Sequence, residues 1–185
     1  VEMQFSDFVS CGFNQIVNNI AKTHYRWGQN TDTVIRMPTG GGMAAGPFHS
    51  QSTEAWFFHT PGLKIVYPSN PSDAKGLLLA AFEDPNPVMF FEHKGLYRSL
   101  TEEVPLGDFT TPIGQAKICS QGEDITFITY GMAVHWCADL ITEMNLSATL
   151  VDLRTLLPWD KETVMEAVKS TGKVVVVHED TLTGG

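Results

Sequence analysis

The chain has 185 residues, of which 43% are hydrophobic, including 11 Phe and 4 Trp, so it is long enough for one large or two small domains with a sizeable core. Its formal net charge of −9 argues against nucleic-acid or anionic-membrane partners, because binding phosphate groups needs clustered Lys and Arg. No apolar run is long enough to span a bilayer. Three widely spaced cysteines have no zinc-binding spacing and favour a reducing compartment.

The first hundred residues alternate between helical and strand patterns. Apolar residues recur with helical spacing over 13–24, and short strands are expected over 34–37 and 63–67. A helix is expected over 52–59 and another over 74–82, the second with an N-cap in Asn70–Asp73. An apolar run over 88–91 is typical of a buried strand. These elements form the first predicted domain, residues 1–100.

Residues 101–115 contain two prolines and no hydrophobic period, which predicts a linker. The alternation then resumes with strands over 125–129, 148–153 and 173–177 and helices over 133–144 and 161–170. Residues 116–185 form the second predicted domain. Strand and helix alternation repeated after a linker predicts an α/β protein with two parallel sheets covered by helices.

A glycine-rich stretch, Gly40–Ser52, follows the first strand. It lacks the Gly-Lys-Ser/Thr of a phosphate loop and does not fit GxGxxG, so a flexible loop is the alternative to a nucleotide site. His49 precedes the helix expected over 52–59. A helix N-terminus disfavours imidazolium, so we expect a neutral His49 that can transfer a proton. A capping or packed histidine is the alternative.

Two further groups of side chains suggest binding. Asp84 and Asn86 place oxygens two residues apart in a proline-rich loop, which suits a hard cation but is also common in turns. Phe5 and Phe8 lie three apart before a helix, where core packing is the default and stacking on a flat ring is the alternative.

Taken together, several segments of the chain resemble one family. These segments are Phe5–Phe8, Phe48–Ser52, Pro61–Val66, Asp84–Pro87, Phe90–Lys94, Asp152–Thr155, His178-Glu179 and Leu182–Gly185. They resemble the β subunits of the thiamine-diphosphate-dependent 2-oxo acid dehydrogenases, the E1 component, and the branched-chain type is nearer than the pyruvate type. The resemblance covers essentially the whole chain.

The resemblance implies a fold, cofactors and partners. It implies a pyrimidine-binding domain followed by a transketolase C-terminal domain, both truncated here, and thiamine diphosphate at an interface with an E1 α subunit or a fused α region that holds Mg²⁺. It also implies a homodimer of β parts and an E2 lipoyl domain as acyl acceptor. The implied location is the cytoplasm for a bacterial protein and the mitochondrial matrix for a eukaryotic one.

By position in the family's motifs, His49 matches the histidine of the active centre, with a role in proton transfer and reductive acylation of the lipoyl group. Phe8 matches the aromatic residue at the aminopyrimidine ring, and Gln4 a polar residue near it. Asp84 and Asn86, with the carbonyl of Ala81, match a loop that holds a structural K⁺.

The resemblance implies an activity for the parent protein: oxidative decarboxylation of a branched-chain 2-oxo acid and acyl transfer to E2. The family's glutamate for the aminopyrimidine ring would precede Val1, so we expect this chain alone to be inactive. Two alternatives stay open: a pyruvate or acetoin dehydrogenase β subunit, and a non-catalytic α/β interaction module.

Overall fold

The computed structural model describes residues 1–185 and contains two four-stranded sheets. The strands are β1 (Val34–Thr39), β2 (Lys64–Val66), β3 (Val88–His93), β4 (Lys117–Ser120), β5 (Ile125–Thr129), β6 (Ala148–Asp152), β7 (Thr155–Leu157) and β8 (Val174–Val176). The α-helices are α1 (Phe13–Gln15), α2 (Ala21–Trp27), α3 (Pro71–Glu83), α4 (Leu96–Ser99), α5 (Met132–Glu143) and α6 (Lys161–Thr171). None of the helices is long and apolar enough to cross a lipid bilayer.

The first sheet has the order β1-β3-β2-β7, in which β1, β3 and β2 are parallel and β7 is antiparallel. Successive side chains of β3 point to opposite faces of the sheet, so the strand contributes to two separate core clusters. Met89 and Phe91 face a cluster with the helical segment 6–27, whereas Val88 and Phe90 face Leu77 of α3. The sheet is therefore buried between helical layers on both faces.

The second sheet has the order β4-β6-β5-β8, with β6, β5 and β8 parallel and β4 antiparallel. Phe127 and Leu150 pack towards α5, and Ile128 and Val151 pack towards α6. The expected α/β class with two sheets is confirmed. Three strands of each sheet are parallel, and one antiparallel strand, β7 or β4, lies at an edge of each sheet.

Helix boundaries follow the capping residues. Asn70 accepts a hydrogen bond from Asp73 N at 2.8 Å, directly before Pro71 at the first position of α3. Asp160 caps α6 in the same way at 3.1 Å, and Gly172 ends it with a left-handed conformation, φ 68°. The helix predicted over 52–59 is wrong: only a four-residue 3₁₀ helix, Glu54–Phe57, forms there.

Candidate active site

The ring of His49 lies between two phenylalanine rings at the carboxyl edge of the first sheet. Its centroid is 5.9 Å from that of Phe5 and 5.6 Å from that of Phe8, both in edge-to-face geometry. Neither imidazole nitrogen hydrogen-bonds to another group of the chain. The ring is thus oriented by packing while its nitrogens are left available for an external proton donor or acceptor.

Phe8 differs from an ordinary core residue because its side chain is 43% exposed. It belongs to the 3₁₀ helix Ser6–Gly12, which enters the site beside the loop that follows β1. An exposed aromatic ring next to an unpaired imidazole offers a flat surface to a heterocycle. Gln4 is exposed four residues before Phe8, and its side chain makes no hydrogen bond within the chain. These are features of the chain that suit the pyrimidine ring of a thiamine cofactor.

The main chain at His49 and at Gln51, two residues later, is held by two buried charged residues. Lys94, which directly follows β3, donates its ammonium to the His49 carbonyl at 2.8 Å and lies 4.7 Å from the centre of the Phe5 ring. Asp7 accepts a hydrogen bond from Gln51 N at 3.0 Å, and its second oxygen is buried without a partner. Burial lowers the pKa of Lys94, and the charges of Asp7 and Glu179 partly oppose that effect.

A residue from beyond the second sheet completes this site. The Glu179 carboxylate accepts hydrogen bonds from Gly41 N at 2.9 Å and from the Nε2 atom of His93 at 2.6 Å. The hydrogen bond from His93 lowers the pKa of Glu179. Sequence patterns gave no role to Lys94, Asp7 or Glu179, because their contacts exist only after strands distant in sequence are brought together.

The sequence argument that placed His49 at a helix N-terminus is wrong. No helix begins at residues 50–53, and the 3₁₀ helix at Glu54 is too short to supply a useful dipole. The loop reverses direction instead through residues with positive φ, among them Gly42 and Ala44. The availability of His49 therefore depends on packing against Phe5 and Phe8 rather than on a helix dipole.

The predicted cation loop lies at the opposite end of the first sheet. Lys64 forms an ion pair with Asp84, whose other oxygen accepts from Asn86 N at 2.9 Å and Asn86 Nδ2 at 3.0 Å. Burial would raise the pKa of Asp84, but the hydrogen bonds from Lys64 and Asn86 outweigh it and lower the pKa. The Ala81 carbonyl has no N–H four residues ahead, since that residue is Pro85.

No three His, Cys, Asp or Glu side chains are grouped where they could hold a metal ion. At the cation loop the Lys64 ammonium pairs with one oxygen of Asp84, so a K⁺ ion bound to that oxygen would have to displace Lys64.

Family models divide the chain between two domains. The transketolase pyrimidine-binding domain matches residues 1–99, and the transketolase C-terminal domain matches residues 114–185. A split-gene transketolase described as an inactive β4 tetramer has a similar fold, with a TM-score of 0.76 at 24% identity. That match covers 98% of this chain and 57% of the other.

Three curated relatives are β subunits of oxidoreductases. The chain is 48% identical to the mitochondrial 2-oxoisovalerate dehydrogenase subunit beta of Dictyostelium discoideum, covering 100% of this chain and 52% of the relative. The Bacillus subtilis 2-oxoisovalerate dehydrogenase subunit beta is 50% identical, with 99% and 58% covered. An acetoin:2,6-dichlorophenolindophenol oxidoreductase subunit beta of Cupriavidus necator is 45% identical, with 96% and 54% covered. The chain spans about half the length of these relatives.

Proposed function

Because this chain belongs to the transketolase family, with the pyrimidine-binding domain followed by the C-terminal domain, we propose that it is the β-type part of a 2-oxo acid dehydrogenase E1 component. The identity of 48–50% to two 2-oxoisovalerate dehydrogenase β subunits supports branched-chain 2-oxo acids as substrates. Those relatives are named as subunits, which supports an α-type partner, and an E2 lipoyl domain would accept the acyl group. By analogy, the location would be the cytoplasm in a bacterium and the mitochondrial matrix in a eukaryote.

One observation carries this proposal: the unpaired His49 imidazole held between Phe5 and the exposed Phe8. Phe8 would contact the aminopyrimidine ring, with Gln4 near it. The cofactor, thiamine diphosphate bound with Mg²⁺ by the α part, supplies the electron sink for decarboxylation. His49 would hold or release a proton at a ring nitrogen and so assist acyl transfer to the lipoyl group. Lys94 would keep the His49 main chain in place.

The experiment uses the full-length subunit assembled with its α partner and loaded with thiamine diphosphate and Mg²⁺. This enzyme should release CO2 from 2-oxoisovalerate in the presence of an artificial electron acceptor. We expect His49→Ala to slow acylation of a lipoyl domain by about 100-fold or more, since positioned acid–base groups contribute on that order. The exposed His59, which makes no hydrogen bond, supplies the matched control His59→Ala.

Two results would contradict the proposal. If the assembled enzyme turns over no 2-oxo acid, the chain is not part of such a dehydrogenase. If His49→Ala acylates the lipoyl domain at the wild-type rate, His49 does not have the proposed role. Tight binding of thiamine diphosphate and Mg²⁺ to the chain alone, measured by calorimetry, would contradict the inactivity expected of the isolated chain.

The relative that acts on acetoin supports a second candidate substrate class, since its identity of 45% is only slightly lower. Comparing turnover of 2-oxoisovalerate, pyruvate and acetoin by the assembled enzyme separates these candidates.

The K⁺ site at Asp84, Asn86 and the Ala81 carbonyl stays a prediction. The ion would have to displace Lys64 from Asp84, so a melting temperature that is the same in K⁺ and in a bulky organic cation would count against it.

A further inference from the structure

The loop that carries His49 has little structure of its own. Residues 42–48 are exposed, and no helix or strand forms between the end of β1 and Glu54. Its position must therefore depend on contacts at its two ends. At the far end, the Gln51 carbonyl accepts hydrogen bonds from Gly40 N at 3.2 Å and from Thr39 Oγ1 at 3.0 Å, which brings the two ends together.

Two consecutive residues at the end of β3 hold the two ends of the loop. Lys94 binds the His49 carbonyl directly at 2.8 Å. His93 acts at the other end through Glu179, whose carboxylate bridges from His93 to Gly41 N. One end is thus held within the first domain, whereas the other end needs a residue that follows β8 in the second domain.

The hydrogen bonds around His93 indicate which of its ring nitrogens donates to Glu179. His93 Nδ1 accepts from Gly95 N at 3.1 Å, so the ring proton lies on Nε2 and is donated to Glu179 at 2.6 Å. The side chain of His93 is only 3% exposed and that of Glu179 25% exposed, so water competes weakly for these hydrogen bonds. Hydrogen bonds to an ionised carboxylate are stronger than neutral ones.

His93 and Glu179 both pack closely against the start of the loop. A Cβ atom on Gly40 would lie 2.2 Å from His93 Nε2, and one on Gly41 would lie 3.1 Å from Glu179 Oε1. His93 therefore lies directly against the main chain at Gly40, and Glu179 lies against the main chain at Gly41. A shift of Glu179 would release both His93 and Gly41.

We propose that Glu179 is a positioning residue that couples the second domain to the loop carrying His49. It bonds Gly41 and His93 at once, so any displacement of the second sheet relative to the first is transmitted to the start of the loop. This assignment rests on the proposed function, in which the placement of His49 matters for acyl transfer. Glu179 itself touches neither substrate nor His49.

The test begins with the chain itself, studied by NMR. Glu179→Ala should speed amide hydrogen exchange at Gly41 by roughly tenfold or more, the effect expected for a lost hydrogen bond to a charged group. It should also move the His49 ring resonances, which are shifted by the Phe5 and Phe8 rings. Glu179→Gln, which keeps one acceptor oxygen, should restore most of the protection at Gly41. Asp180→Asn removes the neighbouring carboxylate and should change neither signal.

Unchanged Gly41 exchange and His49 shifts in Glu179→Ala would overturn the proposal, as would equal changes in Asp180→Asn. If Glu179→Ala does not fold, the Glu179→Gln spectrum decides, since loss of the His93 contact must still move the His49 resonances. In the assembled enzyme, Glu179→Ala should lower kcat for lipoyl acylation and leave KM unchanged. If His49→Ala has no effect there, the proposed role of His49 fails, while the NMR results still decide whether Glu179 places the loop.

Discussion

Glu54 is a buried carboxylic acid close to the His49 loop. It is 2% exposed; Oε1 accepts a hydrogen bond from the Tyr130 hydroxyl at 3.0 Å, and Oε2 has no partner. Burial raises the pKa of Glu54 from 4.5 to about 7, with a further contribution from Asp180 and Glu179. Its charge therefore changes within the physiological pH range.

This pKa makes the free energy of unfolding depend on pH. The folded-state pKa of about 7 exceeds the unfolded value of 4.5, so stability contributed by the protonated acid is lost as pH rises from 4.5 to 7. The full effect is on the order of 3 kcal/mol. We expect Glu54→Gln to remove this dependence, so that its stability relative to the wild type increases between pH 5 and pH 8.

Urea unfolding at several pH values measures this difference. The exposed Glu83, which has no hydrogen-bond partner, supplies the control Glu83→Gln, whose stability should run parallel to that of the wild type. Parallel curves for Glu54→Gln as well would show that Glu54 is not the group that titrates. Asp152, whose pKa burial raises to about 6, remains in every variant and adds the same background slope.

Single residues of the site differ in how well the sequence reveals them. His49 and Phe8 could be chosen because a motif resemblance marks them, but neither spacing nor composition indicates that the His49 nitrogens are unpaired. Glu179 and Gly41 are 138 residues apart and meet only because the carboxyl edges of the two sheets meet. No local pattern carries such information.

At the scale of elements, the turn that leaves β1 depends on Gly40. Its φ is 89°, and an added Cβ would lie 2.2 Å from His93 Nε2. Gly42 also has positive φ, 77°, but has open space around it. An alanine at Gly42 therefore measures the cost of the backbone conformation alone, whereas an alanine at Gly40 adds the cost of a clash with His93.

We expect Gly42→Ala to lower the free energy of unfolding by about 1 kcal/mol, the typical cost of a left-handed alanine. Gly40→Ala should cost at least 1–2 kcal/mol more, because His93 must move and break its bond to Glu179. Thermal unfolding of both variants measures the costs. Equal costs would mean that His93 does not pack against Gly40 as described.

The strands that the sequence failed to predict, β4 and β7, are short and lie at sheet edges. The pattern of β4 alternates between exposed and half-buried residues, so it lacks the apolar signal of the central strands. The strand β7 has three residues and follows Arg154, which adopts a positive φ of 54°. The central strands β3, β5 and β6 were predictable because both of their faces are buried, which makes them rich in apolar residues and threonine.

At the scale of the whole molecule, β7 links the two predicted domains. It follows β6 of the second sheet but pairs with β2 of the first, with Ile65 opposite Leu157. An ion pair between Arg154 and Asp73 at 2.9 Å and a hydrogen bond from Ser69 to Asp152 at 2.5 Å reinforce this crossing. The division into residues 1–100, 101–115 and 116–185 stays a prediction, but the first sheet is incomplete without a strand from the last part.

Because β7 belongs to the first sheet, a cavity created in β7 should also weaken the other strands of that sheet. Leu156 is 4% exposed and packs with Tyr67, Phe91 and other residues of the first core. Leu156→Ala should lower the free energy of unfolding by about 2–5 kcal/mol. If the two sheets unfold as one unit, amide hydrogen exchange must accelerate by the same factor in β3 and in β5.

The control is Leu140→Ala, on the exposed part of α5, which should leave both exchange rates nearly unchanged. Wild-type protection of β3 in Leu156→Ala would mean that β7 docks on a first domain that is already stable, and the crossing strand would then not couple the two domains.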